Sequence, residues 1–166
     1  MKQFIYKKQC IKNNTTIEQL QIRNDGAKFL IVDSLIAVVK SFKPLVARYG
    51  LSSELLKLTI KIMMKRNLLY IVIYDNVVVS DGLVSFGQCN HYKIDANDCV
   101  IGPVNTNPSY QKKGFATFGL SSSINYLSIQ GNLEHIFIDT REDNFAMQKV
   151  IERCGFGKVI DTYNRN

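Results

Sequence analysis

Residues 109–117 read SYQKKGFAT, with a single glycine, Gly114, directly after Lys112 and Lys113. Glycine lets a backbone approach a ligand closely and take conformations that a side chain forbids. The first N–H groups of a helix have no acceptor within it, and together with the helix dipole they attract anions. The chemistry open to this stretch is therefore phosphate binding by the backbone amides from Gln111 to Ala116, with the two lysines adding charge beside them. That reading requires a strand before the loop and a helix after it. The stretch is not a Walker loop, which needs Gly-Lys-Ser/Thr after a longer spacing, and its lone glycine does not make GxGxxG.

Both flanks have the required character. CVIGPV upstream reads as an apolar strand, and a helix is predicted over about 115–130, with Leu120, Ile124 and Leu127 on one face and Gly131 as its stop. IFIDT at 136–140 reads as a strand, followed by a helix that Asp143 or Asn144 can cap. Met147, Val150, Ile151 and Cys154 mark the buried face of that helix, Gly155 ends it, and KVIDTY closes the sequence as a strand.

Nearer the N-terminus, FIYKK reads as a short strand. Residues 28–49 read as helical, with Leu30, Val32, Ile36 and Val39 near helical spacing and Pro44 breaking or restarting the helix. A second helix starts at the SSE of 52–54. LLYIVIY and VVVSDGLVSFG read as two strands of a hairpin turning at Asp75-Asn76. This order predicts an α/β (α+β) fold, a mixed sheet flanked by helices in one domain.

Composition narrows the function classes. A chain of 166 residues with 46% hydrophobic and 21% charged content suits one soluble domain, and no apolar run approaches the roughly 20 residues that span a bilayer. The basic N-terminal stretch lacks the apolar segment of a signal peptide, so a cytoplasmic protein is expected. Cys10, Cys89, Cys99 and Cys154 form no CxxC pair and read as reduced thiols; His91 and His135 are not spaced with them for zinc, so no metal is expected. The formal charge of +7 suggests an anionic partner: nucleic acid, a membrane surface or a phosphorylated small molecule. Lys57, Lys61 and Lys65 line one helix face opposite Leu55, Leu58 and Ile62, which reads as a solvated face without the aromatic interleaving of a nucleic-acid binder.

VNTNPSYQKKGFAT, followed after a helix and a strand by DTREDNFAMQKVIERCGF, resembles the GNAT N-acyltransferase superfamily over about residues 70–160. Gln111, Gly114 and Ala116 match its phosphate loop, Pro108 and Tyr110 the Pro-x-aromatic before it, and Asn144, Gly155 and Phe156 its second signature. The resemblance implies one GNAT-like domain over 1–166, with a helix-rich part at 1–68 and the hairpin and acyl-CoA core at 69–166. It implies acetyl-CoA as cosubstrate, its pyrophosphate on the amides of Gln111, Lys112, Lys113, Gly114, Phe115 and Ala116. The pantetheine arm would pair with Val104 and Thr106, and Asn144 would contact the cofactor from the other side.

The implied reaction is acetyl transfer to a primary amine of a small molecule or a protein, with Asp139 as the general base. Three departures from the pattern stand out. Ile151 holds the position of the usual acid Tyr, which leaves water, Tyr126 or Tyr163 to protonate the thiolate. The other common base position falls near Val100, with Asp98 misaligned beside it. No further strand follows KVIDTY, which makes a groove completed by a second subunit of a homodimer conceivable. The acceptor groove is expected from residues 28–68 and 88–98. A non-catalytic acyl-CoA-binding module and a basic nucleic-acid-binding domain are the alternative readings.

Overall fold

The computed structural model describes residues 1–11, 22–130 and 132–165; Gly131, expected to stop a helix, lies outside them. The elements run β1 (Lys2–Gln9), β2 (Lys28–Val32), α1 (Leu35–Lys40), α2 (Phe42–Tyr49), α3 (Ser53–Met63), β3 (Asn67–Tyr74), β4 (Val77–Phe86), β5 (Asp98–Thr106), α4 (Phe115–Gln130), β6 (His135–Arg141), α5 (Phe145–Arg153) and β7 (Asp161–Asn164). The strands form one seven-stranded sheet in the order β2-β3-β4-β5-β6-β1-β7. Its pairings are antiparallel except that of β5 with β6.

The local signals explain most boundaries. Asp75 and Asn76 both take left-handed angles, φ 50° and 60°, the geometry of a two-residue turn that matches the twist of β3 and β4. Ser52 caps α3 by accepting from the Leu55 N–H at 3.3 Å. Gly155, at φ 75°, ends α5, where the Phe156 N–H turns back to the Ile151 carbonyl at 3.3 Å.

The expected helix over 28–49 is corrected in two ways. Residues 28–32 form β2, paired with β3. Phe29 enters the core on one face of the sheet and Val32 that on the other, so this strand has no polar face and its apolar spacing imitates a helix. The helical remainder breaks at Ser41, which ends α1 and starts α2. Pro44 lies in the first turn of α2, where its missing N–H removes no helical hydrogen bond.

Two layers cover the sheet. On one face α4 and α5 enclose Tyr70, Val84, Ile101, Leu120, Ile138 and Ile151. On the other, α1–α3 cover Val32, Leu69 and Ile71, while Tyr92 and Ile94 of the 87–97 loop pack near Val100 and Phe137. Full burial of one such aliphatic side chain stabilises the fold by roughly 1.5–3 kcal/mol. β1, from the opposite end of the sequence, lies between β6 and β7. All four cysteines are free thiols, and among the described residues no helix is long and apolar enough to cross a membrane.

Candidate active site

β5 and β6 run side by side only from Asp98–His135 to Ile101–Ile138, then separate. The separation starts at Gly102-Pro103, where the β4–β5 register also shifts: Gly82 pairs with Val104 but Val84 with Ile101. Pro103 has no N–H to donate to a ladder, and it stands at the register shift where the strands part. A proline within CVIGPV is the sequence signal for this fork. Beyond it, the Asn107 N–H bonds the Val79 carbonyl at 2.9 Å, and the Asn105 carbonyl accepts from the Ser80 hydroxyl at 2.8 Å. Asn105 and Asn107 therefore face β4, and by strand alternation Val104 and Thr106 turn their N–H and C=O groups to the open edge.

The loop that follows is shaped for an anion. Asn107 closes a short turn over Pro108–Tyr110, its side chain accepting from the Ser109 N–H at 3.1 Å. Lys112 (φ 62°) and Gly114 (φ 80°) are left-handed and bracket Lys113, which curls the backbone into the start of α4. The Phe118 N–H is the first to bond back, to the Gly114 carbonyl at 2.9 Å, so the amides of Phe115 to Thr117 have no acceptor within the helix. Gln111, Lys112, Lys113 and Gly114 are exposed, Ala116 is half-buried, and Phe115 anchors the turn in the core. The Lys113 ammonium lies 5.0 Å from the Tyr110 ring centre.

Arg23 joins this loop from far away in sequence. Its Nη1 donates to the Lys113 carbonyl at 3.0 Å, and the guanidinium lies 4.4 Å from the Phe115 ring centre. Asp25 holds the other side of the guanidinium in a two-point ion pair. Nothing within residues 107–117 signals Arg23, because the contact is long-range.

A cavity of about 500 Å³ passes through the fork. Val104, Asn144 and Met147 line it near the loop side, and Lys61, Asn67 and residues 88–91 line it on the other. Asn144 caps α5, its side-chain oxygen accepting from the Met147 N–H at 3.2 Å, which leaves its NH2 group to donate elsewhere. Asp139, the first β6 residue beyond the fork, is half-buried in the cavity wall. Tyr92 Oη donates to Asp139 Oδ2 at 3.3 Å. The Tyr163 hydroxyl is buried and approaches the same carboxylate without completing a hydrogen bond among the described residues. His91 stacks on Tyr163 with ring centres 5.3 Å apart.

Burial pushes the Asp139 carboxyl above the ordinary aspartate range, opposed by Tyr92 and Tyr163 and more weakly by His91 and Arg165. Burial, with Asp139 beside it, raises the Tyr163 hydroxyl to about 12. A half-buried carboxylate in a cavity wall, held above its usual range, is suited to accept a proton.

The other residues singled out from the sequence lie elsewhere. Asp98 is buried at the foot of β5, where it pairs with His135 Nδ1 at 3.0 Å and accepts from the Asp95 N–H at 3.1 Å. Val100 lines the cavity with an apolar side chain. Ile151 is fully buried in the core between the sheet and α4. Tyr126 donates to Asp33 at 3.1 Å and is not part of the cavity wall. Among the described residues, no group of three or more His, Cys, Asp or Glu could hold a metal ion.

Residues 45–157 match the sequence model of the acetyltransferase (GNAT) domain. No curated protein matches the chain. Among solved structures, the aminoglycoside N-acetyltransferase AAC(6')-Iy in complex with CoA superposes with a TM-score of 0.60 at 14% identity, over 87% of this chain and 98% of that one. The aminoglycoside 6'-N-acetyltransferase AAC(6')-Ih of Acinetobacter baumannii gives 0.56 at 14% identity, over 85% and 99%. A Clostridium acetobutylicum acetyltransferase with acetyl-CoA gives 0.55 at 15% identity, over 84% and 96%.

Proposed function

The chain belongs to the GNAT acetyltransferases, enzymes that draw on acetyl-CoA, and from that premise we propose that it acetylates a primary amine admitted to the cavity at the β5–β6 fork. The observation that carries the reading is Asp139 standing immediately beyond the fork, opposite the open edge of β5.

Acetyl-CoA supplies the acetyl group as an activated thioester. The protein's part is binding, orientation and proton handling. The loop amides from Gln111 to Ala116 and the first turn of α4 fit the pyrophosphate, with Arg23 holding the Lys113 carbonyl so that the loop keeps its curl. The outward N–H and C=O groups of Val104 and Thr106 fit the amides of the pantetheine arm as an added strand would. Asn144 borders the same space from the start of α5, with a side-chain NH2 group to donate.

On the other side of the sheet, Asp139 Oδ atoms take a proton from the incoming ammonium, leaving the neutral amine able to attack. Tyr92 fixes the carboxylate's orientation through its hydrogen bond. Neither of the two tyrosines raised as proton donors to the leaving sulfur lines the cavity; Tyr163 is the one beside Asp139, and its hydroxyl, raised by burial, stays protonated at neutral pH. Four free thiols suit a reducing compartment, which supports a cytoplasmic location.

The second reading is a CoA-binding module without turnover, favoured by Ile151, a core residue with no proton to give. CoA release from acetyl-CoA across a panel of amines separates the two. Amine-dependent release that Asp139→Asn abolishes supports the enzyme; a rise in melting temperature with acetyl-CoA but no release for any amine supports the module.

A further inference from the structure

The cavity wall is uneven in charge. Among the described residues Asp139 is its one carboxylate, against the cations Lys61 from α3, Arg141 from β6 and Arg165 beyond β7. Arg141 is paired with Asp143 at 3.1 Å. Lys61 and Arg165 have no carboxylate in ion-pair contact among the described residues. Arg165 is near enough to Asp139 to oppose the rise of its carboxyl.

An acceptor carrying several ammonium groups would meet these cations with a single counter-charge, and that carboxylate is engaged at the reacting nitrogen. A molecule whose amine reaches Asp139 while an oxyanion reaches Lys61 or Arg165 satisfies both ends, through charge-assisted hydrogen bonds and without like-charge contact. We propose that the acceptor is a small amine that also bears an oxyanion, a carboxylate or a phosphate, and that Lys61 and Arg165 select it. This rests on the acetyl-transfer reading above. It separates the chain from acetyltransferases of similar fold that act on aminoglycosides, which are sugars with several amines.

The test uses the full chain saturated with CoA, reading amine binding by calorimetry beside turnover with acetyl-CoA. The probes are an amino acid against its amide, phosphoethanolamine against ethanolamine, and one aminoglycoside. The anionic member of at least one pair should bind about 10-fold tighter than its neutral partner, with the aminoglycoside weakest. Which pair discriminates tells carboxylate from phosphate. Combining Lys61→Glu with Arg165→Glu should bring that ratio to about 1 or below without changing acetyl-CoA affinity; the corresponding Gln substitutions serve if the Glu pair does not fold. Lys57→Glu, on α3 but outside the cavity wall, should keep the ratio. Equal binding within both pairs, or tightest binding of the aminoglycoside, overturns the proposal with or without turnover. Anion-selective binding without CoA release supports the charge selection and removes the acetyl-transfer reading.

Discussion

The loop at 107–116 and the cavity beyond the fork share strand β5 but are made of different material. The loop is consecutive backbone: two left-handed residues, a helix start and a glycine that nothing crowds except Arg23 Nη1, 3.4 Å from where its Cβ would be. The cavity is side chains gathered from α3, β3, the 87–97 loop, β6 and the segment after β7. A site of backbone amides tolerates almost any side-chain identity provided its angles are kept. A site of gathered side chains keeps its chemistry only while each contributing element stays docked.

Substitutions can break that contrast, the largest effect being expected at the gathered site. Asp139→Asn should lower kcat/KM by about 1,000-fold while acetyl-CoA binding stays unchanged, as expected for loss of a general base. Because the folded carboxyl sits above its usual range, wild-type kcat/KM should rise with pH along a limb above the ordinary aspartate range, and the variant should lose that limb. Stability follows the same sign. The raised carboxyl favours the fold below the unfolded aspartate pKa, and that contribution disappears as pH rises through the folded value. The melting temperature of Asp139→Asn relative to wild type should therefore be more favourable at pH 8 than at pH 4.

Gly114→Val tests the backbone site, since a β-branched residue at φ 80° is strained. Acetyl-CoA affinity measured by calorimetry should fall by about 100-fold. Arg23→Ala should weaken acetyl-CoA binding by about 10-fold, the size of one lost charge-assisted hydrogen bond. The same variant should use acetyl-pantetheine, which lacks the pyrophosphate, as well as wild type does. A drop with both thioesters would mean that Arg23 acts on the fold rather than on the loop. The smallest change is expected for Asn144→Ala, which removes the α5 cap and should cost about 1 kcal/mol in denaturant unfolding.

The same contrast explains what could be read in advance. The loop between β5 and α4 and the starts of α3 and α5 were legible because each is set by residues within a few positions of one another. The fork was written in Gly102-Pro103, yet a proline in an apolar run reads equally well as a strand end. β2 was misread because FLIV is buried on both faces, so alternation, the mark of a strand, is missing. Arg23 lies 90 residues from the carbonyl it holds, and Tyr92 lies 47 from Asp139. No local spacing encodes such pairs. Asp139 was reachable only through the family pattern, and its surroundings required the fold.

β1 has a consequence for how the site comes into being. Ile5 is the ladder partner of Asp139 and Gln3 that of Arg141, so the strand bearing Asp139 is completed from the remote end of the sequence. β1 leaves the ribosome well before β6 exists and must wait, unpaired, for most of the chain to follow. Contacts of such long sequence separation form late and slowly in refolding. The 107–116 loop, whose pieces are neighbours, can take shape earlier than the cavity. Cofactor affinity should therefore recover ahead of transfer activity when the denatured chain is diluted into buffer.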